Sequence, residues 1–159
     1  MSIYHATSSS ELHSCLKSLC AQQLPATQIV LVRDGPVRPE VERCIDNFTS
    51  ELPFEHIFFS ENRGLGPALH DGLIACDYDI VARVDSDDCS LPDRLLRQVE
   101  FMNANPKVNL CGTRFIEKYG ENLLPQRVYF AESNTEIKKV ISFYNPFAHS
   151  SVMFRRDAY

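Results

Sequence analysis

Apolar residues in the first two-thirds of the chain follow two alternating patterns. Short runs rich in β-branched and aromatic residues predict strands, and between them apolar residues return every three or four positions, which predicts amphipathic helices. The predicted strands cover residues 1–4, 28–32, 54–59 and 79–84, and the predicted helices follow at 9–20, 39–48, 65–76 and 91–103. Because such alternation requires crossover connections, it predicts an α/β fold with a mostly parallel sheet flanked by helices.

Two of these helices carry start signals. Ser8 followed by Glu11 has the spacing of a capping box. Ser90 is expected to cap the fourth helix, with Pro92 in its first turn and Asp93 at its third position. We therefore expect both helices to begin directly after a serine.

The second half of the chain is less regular. We expect strands at 108–116 and 151–154, an extended segment at 123–130 and a helix at 134–143. No internal repeat, low-complexity run or linker divides the sequence, so we expect a single domain over residues 1–159.

Polar residues follow three of the predicted strands at their carboxyl ends. Asp34 follows the second strand, Asn62 and Arg63 follow the third, and the acidic run 85–88 follows the fourth. Open α/β sheets bind ligands beyond the carboxyl ends of their strands. We therefore expect these residues to gather along one edge of the sheet, although they are far apart in sequence.

The acidic run places three carboxylates, Asp85, Asp87 and Asp88, within four residues. Carboxylates held together in a dry site repel each other and raise each other's pKa, a cost that a divalent cation removes. Oxygen ligands suit Mg²⁺, Mn²⁺ or Ca²⁺ and leave coordination positions for phosphate oxygens. The alternative is a solvated acidic turn that caps the next helix, and the position directly after a buried strand favours the metal site.

Asp34 and the loop at Arg63 are further candidates for ligand binding. The Asp34 carboxylate could accept a hydrogen bond from a base or a ribose hydroxyl, and the alternative is an ordinary Asp-Gly turn. Arg63 precedes a predicted helix next to Gly64 and Gly66, where backbone N–H groups and the guanidinium could meet a phosphate. The alternative for Arg63 is a surface loop arginine.

His149 is the last candidate from the residues alone. It could be a metal ligand, a phosphate contact or part of an acceptor pocket, and the alternative is a hydrogen-bonded structural histidine near the start of a strand.

Composition narrows the class of protein. With 44% hydrophobic and 23% charged residues, the chain matches an ordinary soluble domain. Its formal net charge of -5 argues against a non-specific nucleic-acid binder, which needs a basic face. The start of the sequence has no charged stretch followed by an apolar run, so we expect no signal peptide, and no apolar run is long enough to span a bilayer. We expect a cytoplasmic protein, and attachment to the inner face of the cell membrane stays open.

The six cysteines include no C-x-x-C pair. Cys15, Cys20, Cys44 and Cys76 fall on apolar positions of predicted helices. We therefore expect small buried hydrophobic residues in a reducing compartment, and neither disulfides nor zinc ligands.

Nine segments of the sequence, taken in their order along the chain, resemble the family-2 inverting glycosyltransferases of GT-A fold. The matching segments are residues 1–4, 29–36, 62–66, 68–69, 72–73, 80–88, 91–95, 145–146 and 149–154. The strongest is 80–88, which reads Ile-Val-Ala-Arg-Val-Asp-Ser-Asp-Asp. The ordered set covers most of the chain and is far more specific than any one segment.

The resemblance implies roles for the acidic residues. Asp34 would recognise the nucleotide base, Asp85 would lie near the ribose, and Asp87 would bind the Mn²⁺ or Mg²⁺ ion that bridges two phosphates. Asp88 and His149, together with Asp85, are further candidates for that metal.

The resemblance also implies the substrates. Arg63, Gly64 and Gly66 would line the nucleotide side of the pocket. The donor would most often be a UDP-sugar, and the acceptor a hydroxyl of a growing glycan, often lipid-linked at the inner face of the membrane. Such enzymes assemble bacterial surface polysaccharides, including O-antigens.

The sequence departs from the family at two places. The family usually has asparagine where this chain has His70, and its catalytic base would lie beyond Tyr159, so we expect a truncated chain. Residues 1–105 would form the nucleotide-binding βαβ part and 106–159 the incomplete start of the acceptor-side part. We expect the chain to bind UDP with a metal but to transfer sugar poorly or not at all.

Two other classes of function stay open. One is a magnesium-dependent phosphotransfer or phosphatase domain, although its acidic residues usually follow the first strand, whereas here they follow the fourth. The other is a non-catalytic nucleotide-sugar-binding module, which differs from an enzyme in lacking turnover.

Overall fold

The computed structural model describes residues 1–119, 122–123 and 131–158, and its first half is built on a three-stranded parallel sheet. The strands are β1 (Ser2–Tyr4), β2 (Ile29–Asp34) and β3 (Phe54–Phe58), in the order β1-β2-β3. Ile3 lies opposite Arg33, and Val32 lies opposite Ile57. All three strands therefore end at the same edge.

Helices cover both faces of this sheet, because β2 is apolar on both sides. The first face packs against α1 (Ser9–Cys20) and α2 (Pro39–Asp46), and the second against α3 (Leu65–Ile74). Side chains alternate along a strand, so Ile29 and Leu31 join the first core and Val30 and Val32 join the second. This arrangement confirms the predicted α/β class.

Gly72 lets α3 approach the sheet closely. A Cβ atom at this position would lie 2.9 Å from Cγ2 of Val32. A larger residue would therefore push α3 and the loop that precedes it away from β2.

A second sheet, which is antiparallel, joins the end of the chain to its middle. It has the order β4-β8-β5 and consists of β4 (Ile80–Ala82), β5 (Leu110–Cys111) and β8 (Met153–Arg155). Helix α4 (Arg94–Ala104) packs on it through Leu95 and Met102, which contact Met153 in a third core. Val84, just beyond β4, is buried in the first core and connects the two halves.

The remaining elements are short. Strands β6 (Lys118–Tyr119) and β7 (Asn122–Leu123) form an antiparallel pair, and α5 (Asn134–Val140) begins with a capping box between Ser133 and Glu136. None of the helices that the structure describes combines the length and the apolar composition needed to cross a bilayer.

The structure corrects several sequence predictions at element boundaries. Ser90 does not cap α4, which begins at Arg94 after Asp93, and Asp93 makes no side-chain cap bond either. The strand expected at 108–116 is limited to Leu110–Cys111, because only this segment pairs with β8. The strand expected at 151–154 begins at Met153, after a 3₁₀ turn over His149–Ser151. Most of the extended segment expected at 123–130 lies outside the described residues.

The prediction for the cysteines is only partly correct. Cys15 and Cys44 are buried and Cys76 is half-buried, but Cys20 is exposed because it lies at the solvent side of the last turn of α1. All six cysteines are free, as expected.

Candidate functional site

Asp34, the last residue of β2, forms the centre of the first candidate cluster. Its carboxylate accepts hydrogen bonds from the backbone N–H of Arg63 at 2.6 Å and of Gly64 at 2.9 Å, and from Asn62 Nδ2 at 3.1 Å. The residue is only 3% exposed. Asp34 therefore fastens the loop after β3 to the end of β2, as the predicted convergence of these two segments requires.

Gly35 makes this contact sterically possible. Its φ of +84° lies in a region that side-chain-bearing residues rarely adopt. A Cβ atom there would lie 2.7 Å from the backbone nitrogen of Asn62. The Asp-Gly turn predicted from the sequence is thus present, and its glycine is needed for the close approach of the two loops.

The Arg63 side chain is already engaged within the protein. Its guanidinium forms an ion pair with Asp71 at 2.9 Å and stacks over the Phe59 ring at 4.2 Å from the centroid. The N–H groups of Arg63 and Gly64 are used by Asp34. Gly66, in the first turn of α3, has open space around it, with no atom within 4 Å of the position that a Cβ would take.

The second cluster is the acidic turn, residues 85–88, which follows β4. Asp85, Asp87 and Asp88 place carboxylate oxygens within 4.8 Å of one another. The Asp88 N–H donates to the Asp85 carbonyl at 3.3 Å and closes the turn. Asp85 is half-buried, and Asp87 and Asp88 are exposed.

A divalent cation fits this set of donors. Within the described residues, no hydrogen-bond donor of the protein reaches the carboxylates of Asp87 and Asp88. Three anionic groups this close repel each other, and oxygen ligands suit Mg²⁺ and Mn²⁺. The residues present therefore match the ligand chemistry of a hard cation.

Arg83 is a site residue that the sequence analysis did not assign. It is 7% exposed, and its Nη2 forms an ion pair with Asp85. Its Nε and Nη1 have no hydrogen-bond partner among the described residues. The sequence did contain a signal for this role, because Arg83 is a single arginine in an otherwise apolar predicted strand, directly before the acidic turn. Because buried charges require a partner, Arg83 fixes the orientation of Asp85.

His149 lies near this pair but outside the acidic cluster. Among the described residues, the group whose ligand atoms converge contains Asp85, Asp87 and Asp88 without His149. Burial lowers the pKa of His149 from its ordinary value, and the Arg83 charge lowers it further, against the opposing effect of Asp85. Burial and the Arg83 charge therefore favour the neutral imidazole over its protonated form.

A cleft of about 1100 Å³ lies between α3 and the strands β4 and β8, and its lining includes neither Asp34, Arg63 and Gly64 nor the three clustered acids. Gly66 and His70 line it from α3, Arg83 lines it just after β4, and His149 lines it from the 3₁₀ turn. No described hydrogen bond or ion pair joins Asp34 directly to the acidic turn. The structure thus unites Asp34 with Arg63 and Gly64, and pairs Arg83 with Asp85 of the acidic turn. It places Gly66 and His149 on a cleft that is not lined by the carboxylates of either cluster.

A parallel sheet flanked by helices, with polar loops at its carboxyl edge, defines an α/β domain. The sequence matches the family model Glycosyl transferase family 2 over residues 1–159. The chain belongs to this family.

Relatives and solved structures agree with this assignment. The chain is 37% identical to the amylovoran biosynthesis glycosyltransferase AmsE of Erwinia amylovora over 99% of its own length and 59% of the relative. It is 29% identical to a UDP-Gal:alpha-D-GlcNAc-diphosphoundecaprenol beta-1,3-galactosyltransferase of Escherichia coli, over 98% of its length and 57% of the relative. The chain thus spans about three fifths of the length of these curated relatives.

Two solved structures share the fold at low sequence identity. TarS 1–349 of S. aureus in complex with UDP-GlcNAc has a TM-score of 0.71 at 19% identity, over 98% of this chain and 45% of that chain. The mannosyltransferase PcManGT of Pyrobaculum calidifontis in complex with GDP-Man and Mn²⁺ has a TM-score of 0.67 at 16% identity, over 98% and 44%. The fold is the GT-A fold of glycosyltransferases.

Proposed function

We propose that this chain is the nucleotide-sugar-binding part of a glycosyltransferase that holds a UDP-sugar through Mn²⁺ or Mg²⁺. The observation that carries the proposal is the acidic turn, whose three carboxylates converge within 4.8 Å directly after β4. Asp87 is the principal ligand for the cation, and Asp88 adds a weaker one. Asp85, which Arg83 orients, is assigned to the ribose or to a further ligand position.

The loop after β3 and the end of β2 form the nucleotide side of the proposed pocket. The Asp34 carboxylate accepts hydrogen bonds there from two backbone N–H groups and one side-chain amide. Because a carboxylate has about four acceptor positions, about one remains for the nucleotide base. Arg63 and Gly64 hold the pocket wall through Asp34, and Gly66 offers open backbone next to the cleft. His149 lines the cleft together with Gly66, and its lowered pKa favours the neutral imidazole as a hydrogen-bonding group.

The proposed reaction is a single displacement at the anomeric carbon with inversion. A hydroxyl of a glycan acceptor attacks while a base takes its proton. The cation supplies positive charge where the nucleoside diphosphate leaves. The residues of this chain bind and orient the donor. Holding the donor close to the acceptor in this way contributes to the rate.

Similar proteins support the donor and suggest the acceptor. One relative is named for UDP-Gal and a diphosphoundecaprenol acceptor, and one similar structure contains UDP-GlcNAc. We therefore propose a lipid-linked glycan acceptor, a role in bacterial surface polysaccharide assembly and peripheral attachment at the inner face of the cell membrane.

Calorimetry with UDP tests the proposal. We expect UDP to bind in the presence of Mn²⁺ and to bind far more weakly after EDTA treatment. Asp87→Ala should abolish the metal-dependent part, and Asp88→Ala should reduce it less. Metal-independent binding, or equal losses in the two variants, would contradict the assigned metal ligand.

A further inference from the structure

Three polar residues of the first helix and its end contact the segment that follows β4. Cys15 and Ser18 lie in α1 and Gln22 lies two residues after it, at spacings of three and four that place them along one line of the helix. Their partners lie at increasing positions between residues 85 and 95. The segment therefore runs along this row, which we call the α1 polar row (Cys15, Ser18 and Gln22).

The first contact holds the acidic turn itself. The Cys15 thiol donates to the Asp85 carbonyl at 3.2 Å. The same carbonyl accepts the Asp88 N–H that closes the turn. Cys15 is fully buried, and burial raises its pKa to about 12, so the thiol keeps the proton that it donates.

The other two contacts hold the chain beyond the turn. Ser18 Oγ accepts the Ser90 N–H at 3.0 Å. Gln22 donates to the Leu91 carbonyl at 2.8 Å and accepts the Leu95 N–H at 3.0 Å. Because Gln22 is buried, these bonds connect α1 to the start of α4 without competition from water.

None of these contacts uses a carboxylate oxygen. The row holds the backbone of the turn and leaves the side chains of Asp87 and Asp88 free. Without such anchors, repulsion among three close carboxylates would spread the turn apart whenever no cation is bound. A set of ligands that is already assembled binds a cation more tightly than one that must be assembled, because less ordering is required on binding.

We propose that the α1 polar row preorganises the acidic turn for a divalent cation, so that Cys15, Ser18 and Gln22 are positioning residues of the metal site. This inference rests on the proposed function, since it takes the acidic turn to be that site. The row acts through the backbone, and none of its members touches the cation.

Mn²⁺ titration of the metal-free protein tests the row, with free Mn²⁺ followed by electron paramagnetic resonance. Ser18→Ala removes the acceptor for Ser90 and should raise the Kd for Mn²⁺ roughly tenfold, as loss of supporting contacts does at other metal sites. Cys15→Ala should act in the same direction, and Cys15→Ser, which restores a donor, should recover part of the affinity. Ser14→Ala is the matched control, because Ser14 is an exposed serine of α1 that bonds only to the Ser10 carbonyl.

Thermal melting without metal separates positioning from stability. If Ser18 has a purely structural role, Ser18→Ala should have a lower melting temperature but the same Kd for Mn²⁺ as the unsubstituted folded protein. That result would overturn the inference. If the unsubstituted protein itself shows no Mn²⁺ binding that Asp87→Ala removes, the proposed metal site fails and the inference fails with it. A third outcome is that the unsubstituted protein binds Mn²⁺ but the Kd is the same in Ser18→Ala, Cys15→Ala and Ser14→Ala. That outcome would overturn the role of the row and leave the proposed metal site intact.

Discussion

Asp34 and the acidic turn both follow strands of the central fold, yet their carboxylates are in opposite states. The Asp34 carboxylate is buried and accepts three hydrogen bonds from the protein. Asp87 and Asp88 are exposed and receive no hydrogen bond from the described residues, while their oxygens lie close to a third carboxylate. Asp85 lies between these extremes, because Arg83 neutralises it from the buried side.

The difference shows how a carboxylate at the end of a strand can serve two purposes. A carboxylate supplied with backbone N–H donors is stable as an anion and ties loops together. A group of carboxylates without donors is unfavourable until a cation arrives. The first arrangement builds the wall of a pocket, and the second makes ligand binding depend on a metal.

The largest expected effect comes from removing the buried carboxylate. Asp34→Ala leaves two backbone N–H groups and one amide without their acceptor, and should lower the free energy of unfolding by about 3 kcal/mol. Asp87→Ala should change it by no more than about 0.5 kcal/mol in metal-free protein, as exposed sites usually do. Urea unfolding of both variants in EDTA measures the contrast, and equal losses would remove the distinction between the two regions.

The next effect concerns the turn that lets the two loops meet. Gly35→Ala introduces a Cβ close to Asn62 at a positive φ and should cost about 2 kcal/mol of unfolding free energy. Gly66→Ala is the control, because it lies in a helix with open space around it and should gain up to about 1 kcal/mol. Urea unfolding checks both signs, and a tolerated alanine at Gly35 would contradict the close approach.

A smaller effect on the melting temperature should depend on whether metal is present. Asp88→Asn removes one of three mutually repelling charges and should raise the melting temperature by about 1–2 °C in EDTA. With Mn²⁺ present, the same variant should gain less stability from the cation than the unsubstituted protein does. Glu100→Gln, which makes the same charge change at an exposed position of α4, should show no dependence on Mn²⁺, and a matching response would indicate a general charge effect.

The smallest expected effect is a difference in alkylation between two cysteines on opposite sides of the acidic turn. Cys89 is exposed beside Asp88, whereas Cys15 is buried against the Asp85 carbonyl with a pKa raised to about 12. Alkylation requires the thiolate, whose fraction rises with pH, so Cys15 should stay unlabelled from pH 7 to 9 in folded protein. Mass spectrometry of digested, alkylated protein should find Cys89 labelled before Cys15, and early labelling of Cys15 would show that the turn is open on its α1 side.

The regular elements of the first half could be predicted because their periodicity is local. Residues Ile29–Val32 are all buried between two helical layers, and a continuous apolar run is the signature of such a strand. The start of α4 was harder to predict from the sequence. Ser90 has the residue type of a helix cap, but its N–H donates to Ser18 and its hydroxyl accepts a hydrogen bond from Arg94. Helix capping and such tertiary contacts compete for the same groups, and the sequence alone does not reveal which contact forms.

By itself, the sequence determined the α/β alternation, the family and the positions of Asp34 and the three clustered acids, since each depends on neighbours in the chain. Only the tertiary structure decided what these residues contact. It buried Asp34 under the loop after β3, paired Arg83 with Asp85 and Arg63 with Asp71, and aligned the α1 polar row with the acidic turn. Such contacts join residues up to 73 positions apart, and their geometry follows from how helices and sheets pack.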